Sequence, residues 1–315
     1  MQKIKLGVSS CLLGKKVRYD GQHKQDYYLT DVLGKFVEWV PVCPEVECGL
    51  PVPREAMHLA GAIDQPRLVT VNTGIDHTER MTSWAGKKLA ELEKLNLGGF
   101  VFKSKSPSSG RFCVKVFNKQ GIPEKKGVGL FAREFIEKFP LLPVEEEGRL
   151  HDPMLRECFL DKVFALARWR EYNAANSQAR ELIEFHSRYK YLLMAHCPAM
   201  VSELGRIVAT LDKQNVKLRK AEYLPLMMKA LDFRATVAKH RNVMHHILGY
   251  FKKQLTAWEK EEVLEVIENY SAGLTPGLTP LVLLRHYARK YEQLYLLEQY
   301  YLNPSSEETM LKYHL

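Results

Sequence analysis

The sequence contains no apolar run long enough to span a bilayer, so no membrane association is expected. Its first residues, Met1–Val8, are too short and too charged for a secretory signal, and a cytoplasmic location is expected. Cysteine is scarce, with six in 315 residues. In a cytosolic chain that count argues against a disulfide framework and for metal ligation, redox chemistry or plain burial. No internal repeat is visible, and no low-complexity segment exceeds the run Glu145-Glu146-Glu147, which excludes solenoid and fibrous architectures. What is present is ordinary globular material: 46% hydrophobic and 26% charged residues, enough for a core in each of two domains. The net charge is +9, which favours polyanionic partners. The excess is spread evenly, +5 over residues 1–150 and +4 over 151–315, so charge does not say which half would hold an acid.

The halves differ in periodicity. Residues 1–145 alternate short apolar runs with helical patterns. Ile4–Val8, Trp39–Cys43, Phe100–Lys103 and Val114–Phe117 read as strands. Asp26–Phe36, His77–Leu95 and Leu130–Phe139 read as helices; Met81, Trp84, Ala85, Leu89 and Leu92 recur at helical spacing. This alternation predicts an α/β domain with a largely parallel sheet. Phe139–Pro153 carries three prolines, the acidic run and Gly148, and reads as a linker, with its core at residues 146–153. From residue 154 to 315 an all-α domain is expected, with helices over Leu155–Tyr172, Ser177–His196, Ala199–Val216, Leu224–Leu255 (with a break), Trp258–Tyr270 and Pro280–Tyr301.

In open parallel sheets, ligands sit beyond the carboxyl ends of the strands. Three polar, punctuated loops leave strands at that edge. They are Ser9–Gly14 continuing to Gly21, Cys43–Arg54, and Lys103–Gly110. Two begin with a cysteine just past a strand, Cys11 and Cys43, and the topology can bring these together. Pro44 restricts the backbone and sets Glu45 beside Cys43. The plain alternative for Glu45 is a helix-capping or salt-bridging acid.

These loops resemble those of the thiouracil desulfidase (TudS) family. The second half resembles the helical domain of YbgA-like proteins through Phe185–His196, His246–Lys253 and Tyr301-Leu302-Asn303-Pro304. Such fusions resemble tRNA 4-thiouridine desulfidases (RudS). The resemblance implies a [4Fe–4S] cluster on three cysteines with one iron left open, a catalytic glutamate at Glu45 and a catalytic serine at Ser106. It further implies tRNA as partner and conversion of C=S to C=O. Open alternatives are a non-catalytic RNA-binding protein and a desulfidase of free thiouracil. No protein partner is implied.

One position departs from that pattern. The third loop reads Ser106-Pro107-Ser108-Ser109-Gly110, with Ser109 where the family has its third cysteine. Cys113 and Cys48 lie nearby in sequence. Three readings stay open: Cys113 or Cys48 is the third ligand; Ser109 ligates iron or leaves a poor two-cysteine site; or the site is degenerate. A zinc site from Cys11, Cys43, Cys48 and Cys113 matches no standard spacing. Cys158 and Cys197 are expected to be merely buried.

Arg18, Arg54 and Lys103 are candidate substrate contacts in the first half. In the second half, basic and aromatic residues mix at Arg168-Trp169-Arg170, His186–Tyr191, Lys239–Arg241, Tyr250–Lys253 and Arg285–Lys290. Arg188, Lys190, Lys252 and Lys253 are the candidate RNA contacts, with neighbouring rings available to stack on bases. The competing expectation is that such helices keep cations outside and rings inside. His240, His245 and His246 do not share one face and are expected as polar surface or RNA contacts.

Overall fold

The computed structural model describes residues 3–175, 178–212 and 214–313. The chain divides into two compact units, Met1–Phe159 and Leu160–Leu315.

In the first unit, β1 (Ile4–Ser9), β2 (Val37–Val42), β5 (Gly99–Phe102) and β8 (Val144–Glu146) form a sheet ordered β2-β1-β5-β8. All its pairings are parallel, with Leu6 opposite both Trp39 and Gly99, and Val101 opposite Glu145. A second sheet, which the sequence reading did not anticipate, contains β3 (Met57–Gly61), β4 (Pro66–Thr70), β6 (Val114–Phe117) and β7 (Pro123–Gly127), ordered β4-β3-β6-β7. Only its β3–β6 pairing is parallel. Val114–Phe117 is therefore a strand as expected, but of this mixed sheet.

The apolar stripe of α2 (Thr78–Lys94) packs with α3 (Leu130–Lys138) on the parallel sheet. Phe100, Phe102, Phe131 and Phe135 are at most 1% exposed and interlock, with Phe100 and Phe102 stacked at 4.3 Å and Phe135 edge-on to both. Burying each such ring contributes about 1.5–3 kcal/mol. Gly7 is glycine because a Cβ there would lie 2.1 Å from the Phe100 ring. A smaller cluster of Leu59, Leu68, Val114 and Val116 with Met81 and Leu130 carries the mixed sheet.

The expected linker is not a free segment. Val144–Glu146 is an edge strand, and Glu145, Glu146 and Glu147 are all buried. Glu145 pairs with Arg149 at 2.7 Å, and Glu146 accepts from the backbone N–H groups of Arg111 and Phe112 at 2.8 and 3.0 Å. Three adjacent acids are tolerated inside because each carboxylate has donors of its own.

The second unit is helical, as expected. It comprises α4 (Pro153–Ala174, which begins in the first unit), α5 (Ala179–His196), α6 (Pro198–Ala209), α7 (Val216–Asp232), α8 (Val237–Leu248), α9 (Ala257–Ser271), α10 (Leu278–Lys290), α11 (Leu294–Leu297) and α12 (Ser306–Tyr313). Ser177, the expected start of the second helix, lies outside the described residues. The break expected in Leu224–Leu255 falls between α7 and α8, where Thr236 caps α8 by accepting from Lys239 N–H. The pattern over Pro280–Tyr301 divides at Glu292, whose φ of 49° ends a helix.

Cys158 is buried, while Cys197 is half-buried between α5 and α6. His240 is not a surface group: it is buried, with its ring Nδ1 3.1 Å from the Tyr301 hydroxyl. The core also encloses charge. Asp161 meets Lys312 and, at 3.1 Å, His196; Arg168 pairs with Glu308 and lies 4.0 Å over the Tyr300 ring. Among the described residues no helix is long and apolar enough to cross a membrane.

Candidate active site

At the carboxyl end of each strand of the parallel sheet the chain contributes to one cavity. After β1 the chain turns through a 3-10 segment, Ser10–Leu13, that holds Cys11 and closes on Gly14 with φ 83°. After β2, Cys43 opens α1 (Pro44–Glu47), and Pro44 stands at the first helical position, where its missing N–H costs nothing. The Glu47 side chain reaches back to accept from Cys43 N–H at 2.8 Å, while Lys88 of α2 pairs with Glu47 at 2.9 Å. After β5 comes Lys103–Gly110, and after β8 comes Glu147. Ser9 Oγ accepts from Lys103 N–H at 2.9 Å and so ties the ends of β1 and β5 together.

The cavity measures about 680 Å³, within the range of small-molecule sites. Cys11, Cys43, Glu45, Ser106, Ser109, Arg18, Arg54 and Lys103 all line it. Cys113 and Cys48 do not. Cys113 is exposed at the start of β6, and Cys48 packs against the core of the mixed sheet, its thiol 3.2 Å from Glu45 O. The four cysteines considered for zinc therefore do not meet. Among the described residues no three His, Cys, Asp or Glu side chains converge on a single metal position.

Glu45 is the polar centre. Its Oε1 accepts from Ser108 Oγ at 2.6 Å and lies 3.5 Å from Ser106 Oγ; its Oε2 is 3.6 Å from Cys43 Sγ and 3.9 Å from the Arg54 guanidinium. Ser106 Oγ and Ser108 Oγ are 3.0 Å apart. Arg54 donates to the carbonyls of Val17 and Pro51, its side chain is only 7% exposed, and its Nε has no hydrogen-bond partner among the described residues. Lys103 Nζ pairs with Glu147, whose carboxylate also accepts from Ser104 N–H and Oγ at 2.7 Å. Arg18 is held by Asp20 at 3.4 Å.

Burial, reinforced by the charge of Glu45, pushes the Cys11 thiol up to about 11 and the Cys43 thiol up to about 12. Two buried thiols beside a carboxylate make a pocket electrostatically suited to a bound cation, which would displace their protons. Thiols are the donors that iron–sulfur clusters take. The donor set fits such a group with two sulfurs and, at the third motif position, a serine oxygen.

Ser108, the shortest partner of Glu45, and Glu147, which anchors the third loop, are not among the site residues expected from the sequence. Ser108 was legible as part of the Ser-Pro-Ser-Ser-Gly loop. Glu147 carried one signal: the acidic run follows the short apolar segment Leu141–Val144, as a strand exit would.

The candidate RNA contacts of the second unit have a different setting. Lys252 and Lys253 are exposed, Lys190 is half-buried, and Arg188 lies 3.9 Å from Glu298. The rings beside them are mostly core: Trp169, Tyr189, Tyr191, Phe251 and Tyr287 are each at most 5% exposed. The exception is Tyr250, 40% exposed and stacked on Tyr295. A stacking platform built from those five buried rings is excluded.

Fold and site together define an α/β protein whose ligand cavity lies beyond the carboxyl ends of a parallel sheet, walled by thiols, a carboxylate and hydroxyls. Residues 6–147 match the 2-thiouracil desulfurase family, and residues 190–306 match a family of unknown function, DUF1722. The chain belongs to the 2-thiouracil desulfurase family, with a DUF1722 domain following. It is 32% identical over 108 residues to uncharacterized protein YbbK of Bacillus subtilis (strain 168), covering 33% of this chain and 71% of that protein. It is 29% identical over 143 residues to uncharacterized protein YbgA of Escherichia coli (strain K12), covering 45% of this chain and 85% of that one. A solved structure described as the [4Fe-4S]-dependent thiouracil desulfidase TudS is 30% identical, with a TM-score of 0.39, covering 48% of this chain and 95% of that chain.

Proposed function

We propose that this protein is a desulfidase that removes the sulfur of a thiolated uracil, the base of 4-thiouridine in tRNA, leaving C=O in place of C=S, with a [4Fe–4S] cluster in the cavity. The observation that carries this reading is the meeting of Cys11, Cys43, Glu45 and Ser106, drawn from three loops, in one cavity. Cys11 and Cys43 would hold the cluster, and when bound it supplies a thiophilic Lewis-acidic iron for the substrate sulfur. Glu45, held by Ser108, takes the proton of the water that replaces sulfur. Ser106 Oγ, 3.5 Å from the same carboxylate, is positioned to return a proton to the base. Arg54, which lines the cavity with its guanidinium 3.9 Å from Glu45, brings a positive charge beside the substrate site. Arg18 and Lys103 also line the cavity, where a nucleotide phosphate would compete with Asp20 and Glu147 for them.

Support for tRNA over a free base comes from the net charge of +9 and from the exposed Lys252 and Lys253 of the attached helical unit. The test is anaerobic purification, assay of iron and sulfide, and incubation with thiolated tRNA, 4-thiouridine and thiouracil, followed by nucleoside analysis. Loss of 4-thiouridine from tRNA with release of sulfide is expected. Turnover of thiouracil alone would replace the tRNA reading with a free-base one. Ser109 favours one other reading, RNA binding without turnover, and tRNA binding by iron-free, inactive protein would establish it.

A further inference from the structure

We infer that Ser109 is the third protein donor to the metal group of this cavity, an oxygen ligand beside the thiolates of Cys11 and Cys43. The inference rests on the cavity being a cluster site, and it concerns the one position where the donor set departs from three cysteines.

The two thiols that could replace the missing one are held elsewhere. Cys48 follows α1, directs its thiol at Glu45 O (3.2 Å) and packs against the cluster of Leu59, Met81 and Val114. Cys113 stands at a left-handed φ of 54° and is exposed. The two residues before it are fixed, because Glu146 Oε1 accepts from the N–H groups of Arg111 and Phe112 at 2.8 and 3.0 Å.

The loop itself is clamped from below. Gly110 N–H donates to Ser106 O at 2.8 Å, and the start of α3 meets the loop through Leu130 N–H to Pro107 O and Ala132 N–H to Ser108 O, both 3.1 Å. Gly129 is pressed so closely that a Cβ there would lie 2.5–2.7 Å from the backbone of Ser108 and Ser109. Cys113 lies beyond this clamped loop and does not line the cavity. Ser109, by contrast, lines the same cavity as Cys11 and Cys43 and is 3% exposed.

Its hydroxyl also has somewhere to send a proton. Ser109 Oγ is 3.3 Å from Ser108 Oγ, which is 2.6 Å from Glu45 Oε1. On ligation the iron–oxygen bond forms, the Ser109 O–H bond breaks, and the proton passes by way of Ser108 to the Glu45 carboxylate and on to solvent. The resulting alkoxide is a harder ligand than thiolate, so the iron it holds is electronically distinct from those on sulfur.

The full-length chain tests this after anaerobic reconstitution with iron-57 and sulfide, as wild type, Ser109→Cys, Ser109→Ala and Cys48→Ser/Cys113→Ser. Iron and sulfide content, Mössbauer spectra and the paramagnetic resonance of the reduced form are read. Wild type and the double variant should hold equal iron with one oxygen-ligated iron site. Ser109→Cys should hold at least as much iron and lack that site, and Ser109→Ala should lose half or more. Equal iron and spectra in Ser109→Ala and wild type would overturn the inference, as would loss of iron in the double variant. A cluster in Ser109→Cys with none in wild type would overturn it and spare the cluster reading of the cavity. No iron in any variant, Ser109→Cys included, would overturn both.

Discussion

Ser108 Oγ donates to Glu45 Oε1 over 2.6 Å, the shortest contact that the glutamate makes, although Ser108 is wholly buried and, of the two serines beside that carboxylate, it is Ser106 that lines the cavity. The two serines therefore divide the work: one fixes the carboxylate and the other faces the substrate. A hydrogen bond to a charged group contributes about 1.5–3 kcal/mol. Ser108→Ala should accordingly lower kcat by about 10- to 100-fold with little change in KM. Ser108→Thr should retain part of the activity. Steady-state kinetics on thiolated tRNA checks both.

Glu147 is the counter-charge of Lys103 and the acceptor for Ser104. Glu147→Gln leaves a largely buried ammonium unpaired and should destabilise the first unit by about 2 kcal/mol. Adding Lys103→Met should recover part of that loss, since the unpaired charge is then gone. Urea unfolding of the two single variants and the double variant measures the coupling.

In the helical unit Glu308 is 2% exposed, pairs with Arg168 and accepts from Ser305 N–H at 2.8 Å at the start of α12. Removing its charge breaks a buried pair and a helix cap together. Glu308→Gln should cost about 3–5 kcal/mol, seen as a lower unfolding midpoint. The same change at Glu184, an exposed i,i+4 partner of Arg180, should cost under about 1 kcal/mol.

His186 links stability to pH. Burial, then the nearby Lys190 charge, pulls its imidazole down to about 4, and its Nδ1 lies 3.0 Å from the Tyr223 hydroxyl. The unfolded chain, with His near 6.5, binds the proton more readily than the folded one, so stability is complete above that value and falls as pH drops from about 6.5 to 4. The contribution is at most about 3 kcal/mol. Thermal unfolding at pH 7.5 and pH 5 should show a smaller acid-induced drop in Tm for His186→Gln than for wild type.

Three strands of the parallel sheet and its two covering helices are legible because the stripe Met81, Ala85, Leu89, Leu92 and the short apolar runs have clear periods. The mixed sheet is not. β7 reads Pro-Glu-Lys-Lys-Gly and exposes all but its last residue, so pairing with β6, rather than any apolar pattern, makes it a strand. The acidic run suggested a solvated linker because a sequence shows charges but not the donors that neutralise them. The cavity thiols were legible from their place after strands. The sequence could not show that Cys113, four residues past Ser109, begins a strand of the other sheet. In the helical half, the alternation of base and ring that suggested a stacking surface is largely the ordinary inside-outside pattern of packed helices.

The buried strand β8 sets where the protein can be divided. A cut after Phe139, where prolines mark an apparent hinge, removes the sheet's edge strand, the partner of Lys103 and the carboxylate that holds Arg111 and Phe112. A cut past His151 keeps all three. Split genes, protease-resistant fragments and domain exchanges that preserve the cavity should therefore share a boundary on the C-terminal side of that residue, and the stretch that looks most expendable in the sequence is the one such pieces cannot lose.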